Sequence, residues 1–241
     1  MSNIQKILQR RSERNYKHIP IEKDKINKII DVINSSPTST NSQDFSAIIV
    51  NDKTLREKIS LNLETQKHIV NAPLFIIFCA DINRIKYAAQ KENKNIHTNS
   101  INNFLTSAGD AFIAASFAAN AAIQLGLGTC YIGMVRASLE TIKQALKLEG
   151  NIVPVVGLTI GYIDTQNEIK PKINHVYLGE YKIEQVHQEV DSYNEQMLSY
   201  YDSRNSKQKY NTWANSCLPY FEKSNETDDL IDKFIKKTWN I

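Results

Sequence analysis

The feature that most constrains this chain is an uncharged, alanine-rich run near its middle. Between Ala111 and Leu125 there is no charged residue, and apolar positions run nearly all the way round a helical wheel. Such a pattern is typical of a helix buried on most sides. The seven alanines of this run keep the helix slim, so that other backbones, or the same helix of a second subunit, can approach it closely. The run therefore predicts a core helix with a dimer axis nearby.

Residues that commonly begin and end helices flank this run. Ser107 or Asp110 offers the side-chain oxygen of an N-cap, while Gly126 and Gly128 follow the apolar positions, as glycines do where helices end. A dinucleotide-binding fingerprint needs a strand before its glycines and a helix after them. The order is reversed here, which argues against a Rossmann NAD site.

The rest of the chain alternates between amphipathic helices and apolar strands. Helical periodicity covers residues 4–11, 22–34, 52–61, 84–91, 138–148 and the chain from 183 onward, and strand-like runs cover 46–50, 74–80, 129–132 and 153–162. The polar residues 92–103 predict a lid or linker. The pattern indicates an α+β fold with one mixed central sheet, flanked by helices around the buried helix. We expect residues 1–182 to form the core and residues 183–241 a helical C-terminal arm that packs on the core or on a dimer partner.

Composition excludes several classes of protein. A formal charge of +3 over 241 residues is too weak and dispersed for a nucleic-acid partner. No run approaches the roughly 18 apolar residues of a membrane span, and the N-terminus lacks the apolar core of a signal peptide, so we expect a cytoplasmic protein without a membrane partner. The three cysteines and five histidines are scattered, which favours reduced, packed thiols and no metal site.

A cluster of basic residues near the start is the first candidate binding site. Arg10, Arg11 and Arg14 surround Ser12. Because Arg10 and Arg14 stand four apart, both guanidinium groups can converge on one anion in a helix or its terminal turn. The alternative is a solvated basic helix end.

A polar block and a second basic pair are the other candidates. The block Ser35–Gln43 is either a linker or a source of hydrogen bonds to a polyhydroxyl ligand, and Lys170 and Lys172 flank a proline. The chain has no G-x-S-x-G elbow, and Cys130 has no identifiable base partner. Cationic groups and a hydroxyl-rich loop without a catalytic triad suit a phosphorylated cofactor.

Several motifs, in this order, resemble those of the FMN-dependent nitroreductase superfamily. They are RRSERNY (10–16), SPTSTNSQ (36–43), ETQKHI (64–69) before FIIFCADINR (75–84), GLGTCYIG (126–133), and KPK (170–172) after VPVVGLTIGY (153–162). The resemblance covers essentially the whole chain and is closest to the branch of NADPH-dependent, oxygen-insensitive nitroreductases and flavin reductases. It implies a homodimer with bound FMN.

The resemblance also implies roles for individual residues. Arg10 and Ser12 would hold the FMN phosphate, Arg14 would approach the N1 and O2 edge of the flavin, and Arg11 would lie in the same shell. The remaining positions that match the family's motifs are Ser39, Thr40 and Asn41 for the ribityl chain or ring edge, with Gln43 in the same loop; Gln66 for the pyrimidine edge; the backbone of Tyr131, Ile132 and Gly133 along the ring; and Lys170 and Lys172. Met134 stands where this branch usually has a second glycine, and Lys172 where it usually has arginine.

The activity implied is an NAD(P)H oxidoreductase in which the flavin, and no dedicated side chain, supplies the chemistry. NAD(P)H would deliver a hydride to flavin N5 and leave, and a nitroaromatic, a quinone or free flavin would then be reduced. Arg204 and Lys209 match a basic loop that holds the 2′-phosphate of NADPH, unless this loop is merely solvated. The alternative function is a flavin- or nucleotide-binding sensor with little turnover, for which Met134 is the motivating departure.

Overall fold

The computed structural model describes residues 2–61, 64–166, 168–203, 212–222 and 226–241. Its helices are α1 Asn3–Leu8, α2 Lys23–Asn34, α3 Lys53–Ile59, α4 Lys67–Asn71, α5 Asn83–Lys91, α6 Ile101–Gln124, α7 Leu139–Ala145, α8 Ile183–Asp202, α9 Trp213–Phe221 and α10 Glu226–Trp239. Its strands are β1 Phe45–Ile49, β2 Leu74–Asp81, β3 Gly128–Ile132 and β4 Ile152–Gly161. The predicted α+β class is confirmed.

The four described strands form one sheet in the order β1-β2-β4-β3. Every residue of the two central strands, β2 and β4, is buried, as their uninterrupted apolar sequences predict. One detail of the prediction is wrong: all neighbouring strands pair antiparallel, so the sheet is not mixed. Among the described residues, parallel pairing is confined to an isolated bridge between Ser12 and Thr129, because the segment around Ser12 touches β3 too briefly to form a strand.

The core helix α6 begins earlier than the sequence suggested. The Ser100 hydroxyl accepts a hydrogen bond from the Asn103 amide at 3.1 Å, so Ser100 is the N-cap and the two predicted caps, Ser107 and Asp110, are buried inside the helix. The asparagine-rich first turn carries too little periodicity to separate it from the preceding loop. The other end agrees with the prediction, since Gly126 follows the helix with a φ of 79°.

The two faces of α6 differ more than the sequence suggested. Five of its alanines are fully buried and face the sheet and α2: Ala111, Ala114, Ala115, Ala118 and Ala122. On the opposite face Phe112 is 46% exposed and Phe117 37% exposed. In the single chain the helix is thus buried on one side, and the slim alanine face admits the sheet.

The chain folds into two compact units, one of residues 1–167 with 227–241 and one of residues 168–226. In the first unit Trp239 of α10 is fully buried, and its indole N–H donates to the Thr98 carbonyl at 3.1 Å. The stretch predicted as a lid or linker is therefore anchored at Thr98, and its last three residues belong to α6. The first unit thus combines the residues before 168 with nearly all of α10. The division after residue 182 stays a prediction.

The second unit contains α8 and α9 after an irregular stretch. The Tyr193 hydroxyl donates to the Pro171 carbonyl at 2.9 Å, and the Tyr193 and Trp213 ring centroids lie 5.8 Å apart. Across the part of the chain that the structure describes, no helix is both long and apolar enough to cross a bilayer. All three cysteines are free, and two of them, Cys79 and Cys130, are buried, as predicted for packed thiols.

Candidate functional site

The basic segment 10–16 lies beside β3. The Glu13 amide donates to the Thr129 carbonyl at 2.9 Å, and Tyr16 bridges Ile163 just beyond β4. The helical arrangement predicted for the arginines is wrong, because α1 ends at Leu8. Side chains of an extended segment alternate between two faces, so Ser12 and Arg14 nevertheless share one face.

The opposite face of this segment holds an ion pair. Arg11 Nε lies 3.0 Å from Glu13 Oε1, and the Glu13 side chain is only 4% exposed. Burying a carboxylate is costly unless it is paired, so the contact with Arg11 helps to fix the segment. Arg11 is thus turned away from the face of Ser12 and Arg14, and its predicted place in the same shell is not supported by this contact.

A glycine allows the close approach between this segment and β3. A Cβ atom on Gly128 would lie 2.6 Å from Ile163 Cγ1 and 2.9 Å from Glu13 Cγ, which is shorter than any ordinary carbon contact. Gly128 therefore serves this contact and does not end α6. Behind it, the Tyr16 hydroxyl lies 2.9 Å from Thr159 Oγ1, and burial raises the pKa of this phenol.

The face of the segment that carries Ser12 and Arg14 places positive charge around Cys130. Burial raises the pKa of the Cys130 thiol, while the charge of Arg14, a hydrogen bond with Ser12 and the charge of Arg10 oppose that shift. Arg10 also opposes the rise that burial causes in the pKa of Tyr131. Within the described ranges the salt bridges do not include Arg10 or Arg14. Two guanidinium groups are therefore available to an anionic ligand.

The segment around Gln66 comes close to the same charge. Gln66 precedes α4, and His68 in its first turn is 5% exposed. His68 has a pKa lowered to about 4, because the ring is buried and Arg14 is nearby, although a hydrogen bond with the Thr65 backbone acts in the opposite direction. Its Nε2 atom is buried and has no hydrogen-bond partner among the residues described. In the sequence His68 is one of five scattered histidines, and its place two positions after Gln66, in a motif that resembles the family's, is the signal that could have singled it out.

The loop 38–43 is held to α6. The Ser39 amide donates to Asp110 Oδ1 at 3.1 Å, and the Gln43 side chain donates to Asn41 Oδ1 at 2.7 Å. Thr40, Asn41 and Gln43 have positive φ values of 49°, 58° and 58°, which non-glycine residues seldom adopt. The loop is therefore preformed, with part of its hydrogen-bonding capacity used internally.

The predicted ring-lining residues follow β3. The Tyr131 hydroxyl donates to the Ala115 carbonyl of α6 at 3.4 Å, Ile132 is buried, and Gly133 begins a 3-10 turn. Met134 is partly buried and packs on the apolar cluster beneath this turn. Its side chain is thus part of the core, which limits its effect on the open side of the strand.

The structure therefore brings together the segments 10–14, 66–68 and 130–133. Loop 38–43 is bound to another side of α6. Lys170 and Lys172 belong to the second compact unit, in which Lys170 Nζ lies 5.9 Å from the Tyr201 ring centroid. Arg204 and Lys209 lie outside the described residues.

The fold and this site define an α+β protein with a positively charged face on the edge of an antiparallel sheet. Residues 7–162 match the model of the nitroreductase family. A relative from Bacillus subtilis, described as an FMN reductase that uses NAD(P)H, is 34% identical over 229 residues, which cover 91% of each chain. The chain therefore belongs to the nitroreductase family.

Solved structures agree with this assignment. The structure of NfrA1 from B. megaterium matches with a TM-score of 0.89 and 30% identity, over 99% of this chain and 98% of that one. The NADPH:FMN oxidoreductase of Vibrio harveyi, solved with NAD+, matches with a TM-score of 0.80 and 25% identity over 95% and 94% of the two chains. The similarity thus extends well beyond the matched family region.

Proposed function

We infer that the chain is an FMN-dependent NAD(P)H oxidoreductase of the nitroreductase and flavin reductase type. The observation that carries this conclusion is its 34% identity, over 91% of its length, to a relative described as an FMN reductase. Bound FMN supplies the redox chemistry, accepting electrons from NAD(P)H and passing them to a small acceptor such as a nitroaromatic, a quinone or free flavin. The protein supplies binding, orientation and electrostatics.

The residues beside β3 fit FMN. A phosphate monoester carries about −1.5 to −2 charges at neutral pH and is held best by forked, charged donors. Arg10 and Arg14 provide such donors on a segment fixed to the sheet, with the Ser12 hydroxyl between them. We assign Arg10 and Ser12 to the phosphate and Arg14 to the N1 and O2 edge, where a positive charge stabilises the reduced ring.

The remaining assignments rest on the family resemblance. Gln66 lies two residues before His68. The backbone of Tyr131, Ile132 and Gly133 directly follows Cys130, whose thiol Ser12 contacts. Both groups are therefore well placed for the ring. Lys170 and Lys172 stay proposed cofactor-binding residues.

We further propose a homodimer formed across the exposed face of α6. At 100° per residue, the exposed Phe112, Ile113 and Phe117 lie on an arc bounded by Asp110 on one side and by Ala115 on the other. Asp110 holds loop 38–43, and Ala115 holds Tyr131. A second subunit on this arc would cover apolar surface and bring its own loop 38–43 towards Tyr131. The loop's proposed ribityl contacts are then made across the interface.

Replacing Arg10 by Ala tests the phosphate assignment. The substitution removes a charge-assisted hydrogen bond of about 1.5–3 kcal/mol, so the Kd for FMN should rise about 10-fold to 150-fold. The matched control is Lys17→Ala, which removes an exposed charge from the same segment. Fluorescence titration of apoprotein measures both constants. Equal weakening by both substitutions would mean that only the general charge matters.

A flavin-binding sensor with little turnover is the other function to be tested. The purified protein should be yellow. NADPH added in the absence of oxygen should bleach it at a rate compatible with catalytic turnover. Bleaching followed by recovery on addition of a quinone supports the enzyme. A yellow protein that NADPH does not bleach supports the sensor.

We also propose that NADPH is preferred to NADH through Arg204 and Lys209. Changing both to Ala should raise the apparent KM for NADPH and leave NADH and the acceptor half-reaction nearly unaltered, as expected for lost uniform binding. Equal changes for the two nucleotides would remove this loop from the site. A cytoplasmic location stays a prediction.

A further inference from the structure

We propose that His68 is a positioning residue that, when FMN binds, accepts a hydrogen bond from Arg14 through its neutral Nε2 atom and so holds the guanidinium at the flavin. This inference rests on the proposed placement of Arg14 at the N1 and O2 edge. It assigns His68 no direct contact with the cofactor.

The ring of His68 contains a buried acceptor without a donor. His68 Nε2 is sealed from solvent and has no hydrogen-bond partner within the described part of the chain. Leaving a buried polar atom unsatisfied costs about 1–3 kcal/mol, and native proteins seldom retain such atoms without a reason. The interaction that would satisfy this atom is therefore expected to form in a state with ligand bound.

Arg14 is the side chain best suited to be the missing donor. Because Nε2 is sealed from solvent, any donor has to move to reach it, and a protein side chain that already lies nearby needs the smallest movement. Arg14 is the charged side chain whose field reaches His68, and it is exposed and outside the salt bridges of the described residues. Its guanidinium has five N–H donors, so it can serve a ligand and His68 together.

The charge of the acceptor at position 68 also matters. A carboxylate at position 68 would orient Arg14 equally well but would cancel much of its positive charge. The imidazole is neutral at physiological pH, because burial and the nearby guanidinium lower its pKa to about 4. A neutral acceptor fixes the direction of Arg14 and leaves its full charge to stabilise reduced flavin, which is negative near N1.

Three substitutions separate these effects in the FMN-bound protein. His68→Gln retains a neutral acceptor, His68→Phe removes it, and His68→Glu makes it negative. The measurement is the ratio of affinities for reduced and oxidised FMN, obtained from the midpoint potential of the bound flavin and of free FMN. We expect about a tenfold fall for His68→Glu, which is about 30 mV for a two-electron couple, a smaller fall for His68→Phe, and little change for His68→Gln.

The Arg14→Gln background is the control for a merely structural role. If His68 acts through Arg14, its substitutions should no longer change the potential when Arg14 is absent. Unchanged potentials in all three single variants, or equal shifts with and without Arg14, would overturn the proposal. These outcomes leave the proposed function intact, whereas a wild-type protein that does not retain FMN would contradict the proposed function itself.

A measurement on the unmutated protein covers the case in which a variant does not fold. In protein labelled with ¹⁵N-histidine, a hydrogen bond to a bare imidazole nitrogen moves its resonance upfield. Addition of FMN should move the Nε2 resonance of His68 in this direction in wild type but not in Arg14→Gln. A resonance that does not move on FMN binding to the wild-type protein would contradict the proposal.

Discussion

Segment 10–16 and loop 38–43 both contain predicted cofactor residues, yet they are built in opposite ways. Segment 10–16 is held by its backbone to β3 and to the residues that follow β4, which leaves the guanidinium groups of Arg10 and Arg14 available. Loop 38–43 is held by its own side chains and by Asp110, with three residues at positive φ. The first segment offers unpaired charge on a backbone fixed to the sheet, and the second offers a preformed shape.

The difference indicates which part of the site a single chain can complete. A backbone anchor leaves side chains free for a ligand, so the charged part of the site already exists beside β3. A loop that uses its side chains for its own shape presents what remains to another surface. This agrees with our proposal that loop 38–43 functions against a second subunit.

The largest expected effect is a pH dependence of the free energy of unfolding, caused by His68. His68, beside segment 10–16, has a pKa of about 4 in the folded protein and about 6.5 when unfolded. Between these values the unfolded state binds more protons, so the free energy of unfolding should fall as pH decreases, by roughly 3 kcal/mol in total. Urea denaturation of wild type and His68→Gln at pH 7 and pH 4 isolates this contribution. Parallel losses in both proteins would show that His68 is not its source.

The second effect tests how closely segment 10–16 must approach β3. Gly128→Ala places a Cβ atom 2.6 Å from Ile163 and 2.9 Å from Glu13, and overpacking of this kind typically costs 1–3 kcal/mol. The free energy of unfolding of the apoprotein should fall by about this amount, and FMN affinity should fall with it. Gly133→Ala is the control, since its nearest contact would be an ordinary 3.4 Å. Equal stability of the two variants would contradict the proposed close approach.

A smaller effect tests the strain in loop 38–43. Thr40 is β-branched and has a φ of 49°, a conformation that asparagine tolerates better. Thr40→Asn should raise the free energy of unfolding by about 0.5–1 kcal/mol. Thr38→Asn, at a φ of −129°, should give no gain, because its backbone is already extended and its hydroxyl accepts from Gln43. Thermal unfolding of both variants decides whether the loop stores strain.

The smallest effect concerns the anchor of the same loop. Burial raises the pKa of Asp110, opposed by the hydrogen bond from the Ser39 amide. A raised pKa disfavours the charged form in the fold, so Asp110→Asn should be slightly stabilising at pH 7, and the gain should disappear as pH falls below the unfolded pKa of about 4. This pH dependence is opposite in sign to that of His68. A loss of stability at pH 7 would mean that the second carboxylate oxygen is essential to the loop.

Much of the fold could be predicted because local patterns agree with the tertiary structure. The stripe of isoleucines in α2, the apolar runs of β2 and β4 and the glycine after α6 each specify an element without reference to distant residues. The start of α6 could not be predicted, because Ser100 is followed by asparagines that suit a loop equally well. The prediction of a mixed sheet was also wrong, because periodicity does not encode which strands become neighbours or in which direction they run.

Some residues of the candidate site could be predicted from the sequence, and others could not. The motif around Arg10, Ser12 and Arg14 identified the right cluster but the wrong geometry. A helix and an extended segment both place Arg10 and Arg14, four positions apart, on one face. His68 could not be singled out, because neither its burial nor its missing partner is visible before the chain is folded.

The sequence by itself determined the family, the α+β class, most helices and strands, and the chemical character of the cationic segment, because these depend on residue type and short spacing. Only the tertiary structure decided that Gly128 admits segment 10–16 to β3, that Arg11 turns to Glu13, and that His68 is buried near Arg14. These relations join residues that are distant in the chain or hidden from solvent. Packing fixes these relations, because it depends on contacts summed over the whole fold.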